Sequence, residues 1–327
     1  KRDIIMIITR TPFRVSFAGG GSDLREFYSK NGYGAVVSAA INKYMYIVIH
    51  PYFHDKIRLK YSKTEDVENV DEIQHPIVRE CLRKVKLEKG VEIASFADVP
   101  AGTGLGSSSA FTVGLLNALY AYKGKVVSKE RLAAEACEIE IDILKEPIGK
   151  QDQYAVAYGN INYIKFNKNE TVDISPILLT EQAREKLEDR LCLYYIGGKR
   201  KAGDILNEQK RNMLDEEKFQ HLRKMVTLAD ELRDVLNKEN VESLGGALHK
   251  GWLYKKELAS GISNEDIDGL YNKAEKHGAS GGKLLGAGGA GFLLFYANNH
   301  ESLQRHLGCR ALPFSIDREG TKIIFYE

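Results

Sequence analysis

The sequence predicts an α+β protein in two domains, and three observations carry that prediction. The chain has 327 residues, more than one hydrophobic core ordinarily supports. Strand-like and helix-like segments follow one another in mixed runs rather than in regular alternation, which argues for α+β over a wheel of βαβ units. The two halves also differ. Strand signals crowd the first, whereas the second is helix-rich from Ala202 to His277 and closes on three strand signals. A boundary near 180–190 follows, with units at 1–185 and 186–327.

In chain order, the segments "IIMIIT" (4–9), "GAVVSAAI" (34–41), "YMYIVIH" (44–50), "KIRLKYS" (56–62) and "VEIASFA" (91–97) are short and rich in β-branched and aromatic residues, as strands are. Ser22 is placed to cap a helix over "SDLREFYSKN", and "HPIVRECLRKV" carries apolar residues at helical spacing. Ser107 to Tyr122 reads as a largely buried helix. Ser128 caps a second, "SKERLAAEACEIEIDILKE", which Pro147 ends. Past the strand "INYIKF" (161–166), "LCLYYI" (191–196) opens the second half, and "FLLFYA", "ALPFSI" and "TKIIFY" end it.

Composition narrows the function classes. A net charge of +2 argues against a dedicated nucleic-acid surface. The apolar run "IIMIIT" is too short to span a membrane or to form a signal peptide, so a cytoplasmic protein is expected. Cys81, Cys137, Cys192 and Cys309 lie far apart with no CxxC pair, and read as free thiols. The eight histidines form no ligand pattern, and neither a GxSxG elbow nor a Cys/His pair suggests acyl transfer.

Three glycine clusters stand out. "PAGTGLGSSSA" follows an expected strand and opens an expected helix. Gly102, Gly104 and Gly106 let a ligand approach the main chain, and Ser107 to Ser109 fall in the first turn, where free N–H groups and the helix dipole favour phosphate. It lacks the lysine of the usual phosphate loop. A glycine-rich turn capped by serine is the simpler alternative. In "GGKLLGAGGAGFLLFYA", Gly286, Gly288 and Gly291 formally satisfy GxGxxG. A strand follows instead of a helix, so a turn between two strands fits better than a dinucleotide fold. "RTPFRVSFAGGGSDL" surrounds an expected loop with Arg10, Arg14 and Asp23. Among the acids, Asp152 sits just past a Pro–Gly break, a candidate base or cation ligand that taken alone reads more simply as a helix cap. Glu138, Glu140 and Asp142 alternate within a helix and so cannot share one face.

The order "RTPFRVSFAGGGSD", "PAGTGLGSSSA", "GKQDQ", "KLLGAGGAGF" resembles the GHMP kinase superfamily over nearly the whole chain. Within it, the nearest likeness is to bacterial kinases of D-glycero-D-manno-heptose 7-phosphate. The resemblance implies a GHMP kinase fold, with a ribosomal-protein-S5-domain-2-like N-terminal domain, a ferredoxin-like C-terminal domain and the active site between them. It implies ATP as phosphate donor, Mg²⁺, and a small sugar phosphate that receives the phosphoryl group at its anomeric hydroxyl, with no nucleic-acid or membrane partner. Oligomeric state is left open, a homodimer included. Pro100, Gly102, Thr103, Gly104, Leu105, Gly106, Ser107, Ser108 and Ser109 would surround the nucleotide phosphates. Ser108 and Glu140 would hold Mg²⁺, Asp152 would face the acceptor hydroxyl, and Arg14 would meet the transferring phosphate. Gly20, Gly21, Ser22, Asp23, Gly149, Lys150, Gln153, Gly288 and Gly289 would contact the substrate. In galactokinases the first motif reads Gly-Glu-His-Thr-Asp; here it is Gly19-Gly20-Gly21-Ser22-Asp23, without the Glu and His that grip galactose. A sugar phosphate also needs a seat for its own dianion. The basic run Lys199-Arg200-Lys201 offers one, with Arg200 favoured because its fork matches phosphate, a solvated charged turn being the equal alternative.

Overall fold

The computed structural model describes residues 6–198 and 202–327. The first half contains β1 (Ile7–Ala18), α1 (Arg25–Asn31), β2 (Tyr33–Pro51), β3 (Ile57–Lys60), β4 (Thr64–Val67), α2 (Pro76–Val85), β5 (Val91–Ala97), α3 (Ser107–Tyr122), α4 (Lys129–Cys137), α5 (Gln151–Tyr158), β6 (Ile161–Asn167), β7 (Val172–Pro176) and α6 (Glu181–Arg190). The second half contains β8 (Leu191–Gly197), α7 (Ala202–Asn212), α8 (Glu216–Leu236), α9 (Ser243–Lys256), α10 (Glu265–Lys276), β9 (Ala279–Leu284), β10 (Gly291–Ala297), α11 (His300–Leu307), β11 (Arg310–Pro313) and β12 (Lys322–Tyr326).

These strands form two sheets. The first has the order β12-β1-β2-β5-β3-β4, with β6 and β7 branching from β2. The second is β11-β8-β10-β9, all antiparallel. In terms of its own strands the second sheet runs 4-1-3-2 with helices in the crossovers, the split βαβ topology of a ferredoxin-like layer. Its helical crossover is long, carrying α7 to α10. The C-terminal unit does not run unbroken to residue 327: β12 returns to pair with β1 in the first sheet, so the chain's last strand belongs to the N-terminal layer.

Two sequence expectations change here. The segment expected as a loop from Arg10 is strand as far as Ala18, because β1 lies between β12 and β2 and is almost wholly buried, which erases the period-2 pattern of a half-exposed strand. Pro12 is tolerated because the register against β2 shifts just after it. The two strands expected at 34–41 and 44–50 are one strand. The apparent break at Asn42-Lys43 is a bulge, since Pro12 pairs with Tyr44 while Phe13 pairs with Ile41. On its other edge β2 changes partner from β6 to β5 across that bulge.

Helix α3 is buried nearly all round and lies against β1 and β2. That explains its unbroken apolar sequence and fixes its first turn at the sheet's end. Ser128 caps α4 by accepting from the Arg131 amide, and α4 passes into a π-helical stretch at Glu138–Ile143 rather than continuing as α-helix. Ser22 does not cap α1. Its buried hydroxyl donates to the Gly19 and Ala35 carbonyls, and α1 starts after Leu24. Among the described residues no helix is long and apolar enough to cross a membrane.

Apolar side chains of both layers form one continuous buried cluster, with Trp252 of α9 among its largest fully buried members. Trp252→Ala is expected to cost about 3–5 kcal/mol, the usual range for deleting a buried aromatic. Urea unfolding followed by circular dichroism measures it, and a loss below about 1 kcal/mol would mean that α9 is not anchored through this side chain.

Candidate active site

A cavity of about 240 Å³ opens where five segments meet: the end of β1 with its glycine loop, the loop into α3, the start of α5, α7 through Leu206 and Gln209, and the α9–β9 region of the second layer. The two halves touch along backbone. A side chain on Gly104 would lie 2.6 Å from the Leu285 carbonyl oxygen, and one on Gly286 would lie 2.5 Å from Gly104 Cα. These close approaches are why glycine stands at both places.

The loop into α3 ends in Gly106 at φ +74°, the N-cap of the helix. No side chain caps α3, so the first-turn N–H groups of Ser107 to Ser109 are left for a ligand. A Cβ on Gly106 would stand 3.2 Å from Arg14 Cγ and 3.3 Å from Asp152 Oδ2, so the bare backbone there also makes room for the charged pair at the cavity's centre. Arg14 donates from Nε to Asp152 Oδ1 and from Nη2 to Asp152 Oδ2, both at 2.7 Å, and from Nη1 to the Gly104 carbonyl at 2.6 Å. Its own amide donates to the Leu105 carbonyl at 3.0 Å. Asp152 is the second residue of α5 and not its cap, since Lys150 holds that place.

Beside this pair lies Asp23, fully buried, which accepts from the Gly21 amide and from both the amide and Nε2 of Gln151. Burial, reinforced by the charge of Asp152, pushes its carboxyl above the usual range. The π-helical stretch after α4 turns one of three acids inward. Glu138 bonds Lys84 and Asp142 bonds Arg25 at the surface, whereas Glu140 is fully buried. Ser108 donates to Glu140 Oε1 at 2.6 Å and Gln153 to Oε2 at 2.8 Å. Burial still pushes the Glu140 carboxyl up to about 7.

Arg14, Gly20, Gly21, Asp23, Gly102, Gly104, Gly106, Ser107, Ser108, Gly149 and Asp152 all line the cavity. Other expected residues face elsewhere. Thr103, Leu105 and Ser109 are buried behind the loop, and exposed Pro100 only accepts from the Thr103 hydroxyl. Ser22 bonds backbone, and Gln153 supports Glu140. Lys150 points into the neighbouring cleft, paired with Glu170 and lying over the Tyr28 ring. Gly288 and Gly289 turn their backs to the cavity and pack on Ile262. Arg200, with Lys199 and Lys201, lies outside the described residues. Sequence reasoning missed Ser16, Gln151, Lys255 and Lys283, which all line the cavity. Lys283 carried a signal, a lone basic residue at the foot of a glycine loop. Lys255, one lysine among several in α9, carried none.

The Glu140 assignment has a stability consequence. Its folded pKa of about 7 lies above the ordinary 4.5, so the folded state keeps the proton longer and stability falls as pH rises from 4.5 to about 7. The full difference is about 3 kcal/mol. In the ligand-free protein, Glu140→Gln is expected to melt above wild type at about pH 8, with the gain shrinking toward zero near the ordinary carboxylate value. A pH-independent offset in paired thermal melts would refute this.

Comparison with known proteins agrees with the geometry. The GHMP kinases N terminal domain matches residues 74–160 and the GHMP kinases C terminal domain matches residues 229–313. The D-glycero-alpha-D-manno-heptose 7-phosphate kinase of Campylobacter jejuni is 29% identical over 97% of this chain and 98% of that protein. A galactokinase of Pyrococcus furiosus is 29% identical over 87% of each. Among solved structures, a D-glycero-D-manno-heptose 1-phosphate kinase from Bacteroides thetaiotaomicron superposes with a TM-score of 0.79 at 25% identity, covering 98% of this chain and 99% of that one. With both domain models matched in order across the two layers that enclose the cavity, the chain belongs to the GHMP kinases and is an ATP-dependent phosphotransferase.

Proposed function

We propose that the enzyme transfers the γ-phosphoryl group of ATP to the anomeric hydroxyl of D-glycero-D-manno-heptose 7-phosphate. The products are the 1,7-bisphosphate and ADP, on the route to GDP-heptose in the cytoplasm. The observation that carries the reading is the place of the Arg14–Asp152 pair. The α3 loop with its open N–H groups adjoins the pair at Gly106, and the same cavity has a wall suited to hydroxyl groups. There, among the described residues, the Ser16 hydroxyl and Gln151 Oε1 are buried without a partner, and both lie within about 4 Å of a side-chain position at Gly20. Buried polar atoms of this kind call for ligand hydrogen bonds, which a polyhydroxylated acceptor supplies. The choice of heptose rests on the Campylobacter jejuni relative, which matches this chain end to end.

In the reaction, Asp152 orients the acceptor hydroxyl and takes its proton as the oxygen bonds to phosphorus and the bond to the ADP oxygen breaks. Arg14 offsets charge on the transferring group, and the α3 amides hold the donor phosphates. Ser108 and Glu140 would suit Mg²⁺ as hard oxygen donors: the Ser108 hydroxyl lines the cavity, and the Glu140 carboxylate lies fully buried directly behind it, with no salt-bridge cation among the described residues. Among the described residues no group of three His, Cys, Asp or Glu could hold a metal, so the nucleotide's phosphates would complete the shell. Mg²⁺ bound there would neutralise the phosphates and strengthen the electrophile.

A panel of sugars and sugar phosphates assayed with ATP tests the substrate. Heptose 7-phosphate should give the highest kcat/KM, and faster turnover of an unphosphorylated sugar such as fucose or galactose would overturn the assignment. Asp152→Asn keeps the size but removes the charge, so kcat should fall about a hundredfold or more with ATP affinity little changed. Near-wild-type turnover by a folded, ATP-binding variant would end the role given to Asp152.

A further inference from the structure

Three cations face the cavity from three elements: Arg14 of β1, Lys255 of α9 and Lys283 of β9. Lys255 and Lys283 are 6% and 3% exposed. Asp152, which lines the same cavity, is already held by the Arg14 fork. Lys255 is satisfied by main chain, donating to the Leu284 carbonyl at 2.8 Å and the Gly286 carbonyl at 2.6 Å. Among the described residues, no acceptor and no ion pair meets the Lys283 ammonium. A buried lysine aimed into a cavity without a partner is costly unless a ligand supplies the anion.

The position says which anion. Lys255 holds the carbonyls of the turn that begins at Leu284, and Gly286 in that turn lies against Gly104 of the phosphate loop. The Gly104 carbonyl is in turn held by Arg14. Lys283 therefore stands at the junction of phosphate loop and Arg14–Asp152 pair, where donor and acceptor meet. We infer that Lys283 is a catalytic residue that binds the phosphoryl group in transfer, and that Lys255 is a positioning residue that holds the Leu284–Gly286 turn against the phosphate loop. This rests on the phosphotransferase assignment but not on the identity of the sugar.

Burial, with Arg14 adding repulsion, pulls the Lys283 amine down to about 7, and burial with both neighbouring cations holds Lys255 well below the usual lysine value. The charged groups that line the cavity with Lys283 are Arg14, Asp23, Asp152 and Lys255, of which Arg14 and Lys255 lie close enough to act on it or be acted on by it. On the helices covering β9, Tyr271 bonds His249 and the Gly282 backbone, and His249 pairs with Glu275. The γ-phosphate would restore the Lys283 proton on entering, and ADP, lacking that group, would not.

Isothermal titration of Mg²⁺-ATP and Mg²⁺-ADP in buffers of differing ionisation enthalpy tests this. At about pH 8 the wild type should take up close to one proton with ATP and little with ADP. Lys283→Met should lose that uptake and bind ATP about tenfold more weakly with ADP affinity nearly unchanged, while kcat falls about a hundredfold. Lys283→Arg, permanently charged, should recover part of kcat and ATP affinity without proton uptake. Wild-type proton uptake in either variant would overturn the proposal, as would a loss falling on the acceptor's KM while ATP binding is spared. If the methionine variant does not fold, the arginine variant decides on the same readouts.

Discussion

The site depends on one side chain. Arg14 uses three nitrogens for two tasks, gripping both oxygens of Asp152 and holding the Gly104 carbonyl of the loop into α3. Loop and acid come from segments far apart in sequence, and the guanidinium fork sets the spacing between them. A lysine would carry the charge but not the fork, and would release one of the two partners. The backbone follows the same logic. The Arg14 amide bonds the Leu105 carbonyl, so the strand carrying the arginine also aligns the loop that it holds.

Around this fork the protein concentrates groups that resist burial. Glu140 and Asp23 are carboxylates raised by desolvation, while Lys283 and Lys255 are amines lowered by it. Burial favours the neutral form of each, and an entering phosphate would favour the charged form of the amines but not of the carboxylates. Such a site costs stability in the empty protein. The cost is carried by the two sheets and by α3, whose buried faces are apolar almost without interruption.

How the two layers are connected explains why the cavity is well defined. The C-terminal strand β12 leaves the second layer and pairs with β1, the strand that carries Arg14. Contacts such as Gly104 against Gly286 tolerate no side chain, so they require that the halves meet in one fixed register. Backbone of the α9–β9 region thus reaches the loop into α3 directly, and the second half contributes Lys255 and Lys283, with Leu206, Gln209 and Leu258, to a cavity whose Arg14, Asp23 and Asp152 come from the first.

Much of this was legible in the chain. The α+β class, the buried α3, the glycine turn between β9 and β10 and the glycine-rich entry to α3 can be read from residue order, because turn chemistry, apolar runs and helix starts are local properties, whereas Arg14 and Asp152 stand out only through the resemblance of the motif order to a kinase family. The direction a polar side chain takes is not local. Ser22 looks like a cap, yet it closes a buried turn against Ala35, thirteen residues on. Glu140 is singled out of three alternating acids by a π-helical stretch that no residue pattern announces. The long β2 shows as two strands because its bulge opposes a break in another strand's register. Lys255 and Lys283 join the site only because two sheets bring their ends together. Sequence determined the elements and the glycine hinges of this protein. Tertiary structure decided which charges face one another, since that depends on contacts between distant segments, as between Arg14 and Asp152, 138 positions apart.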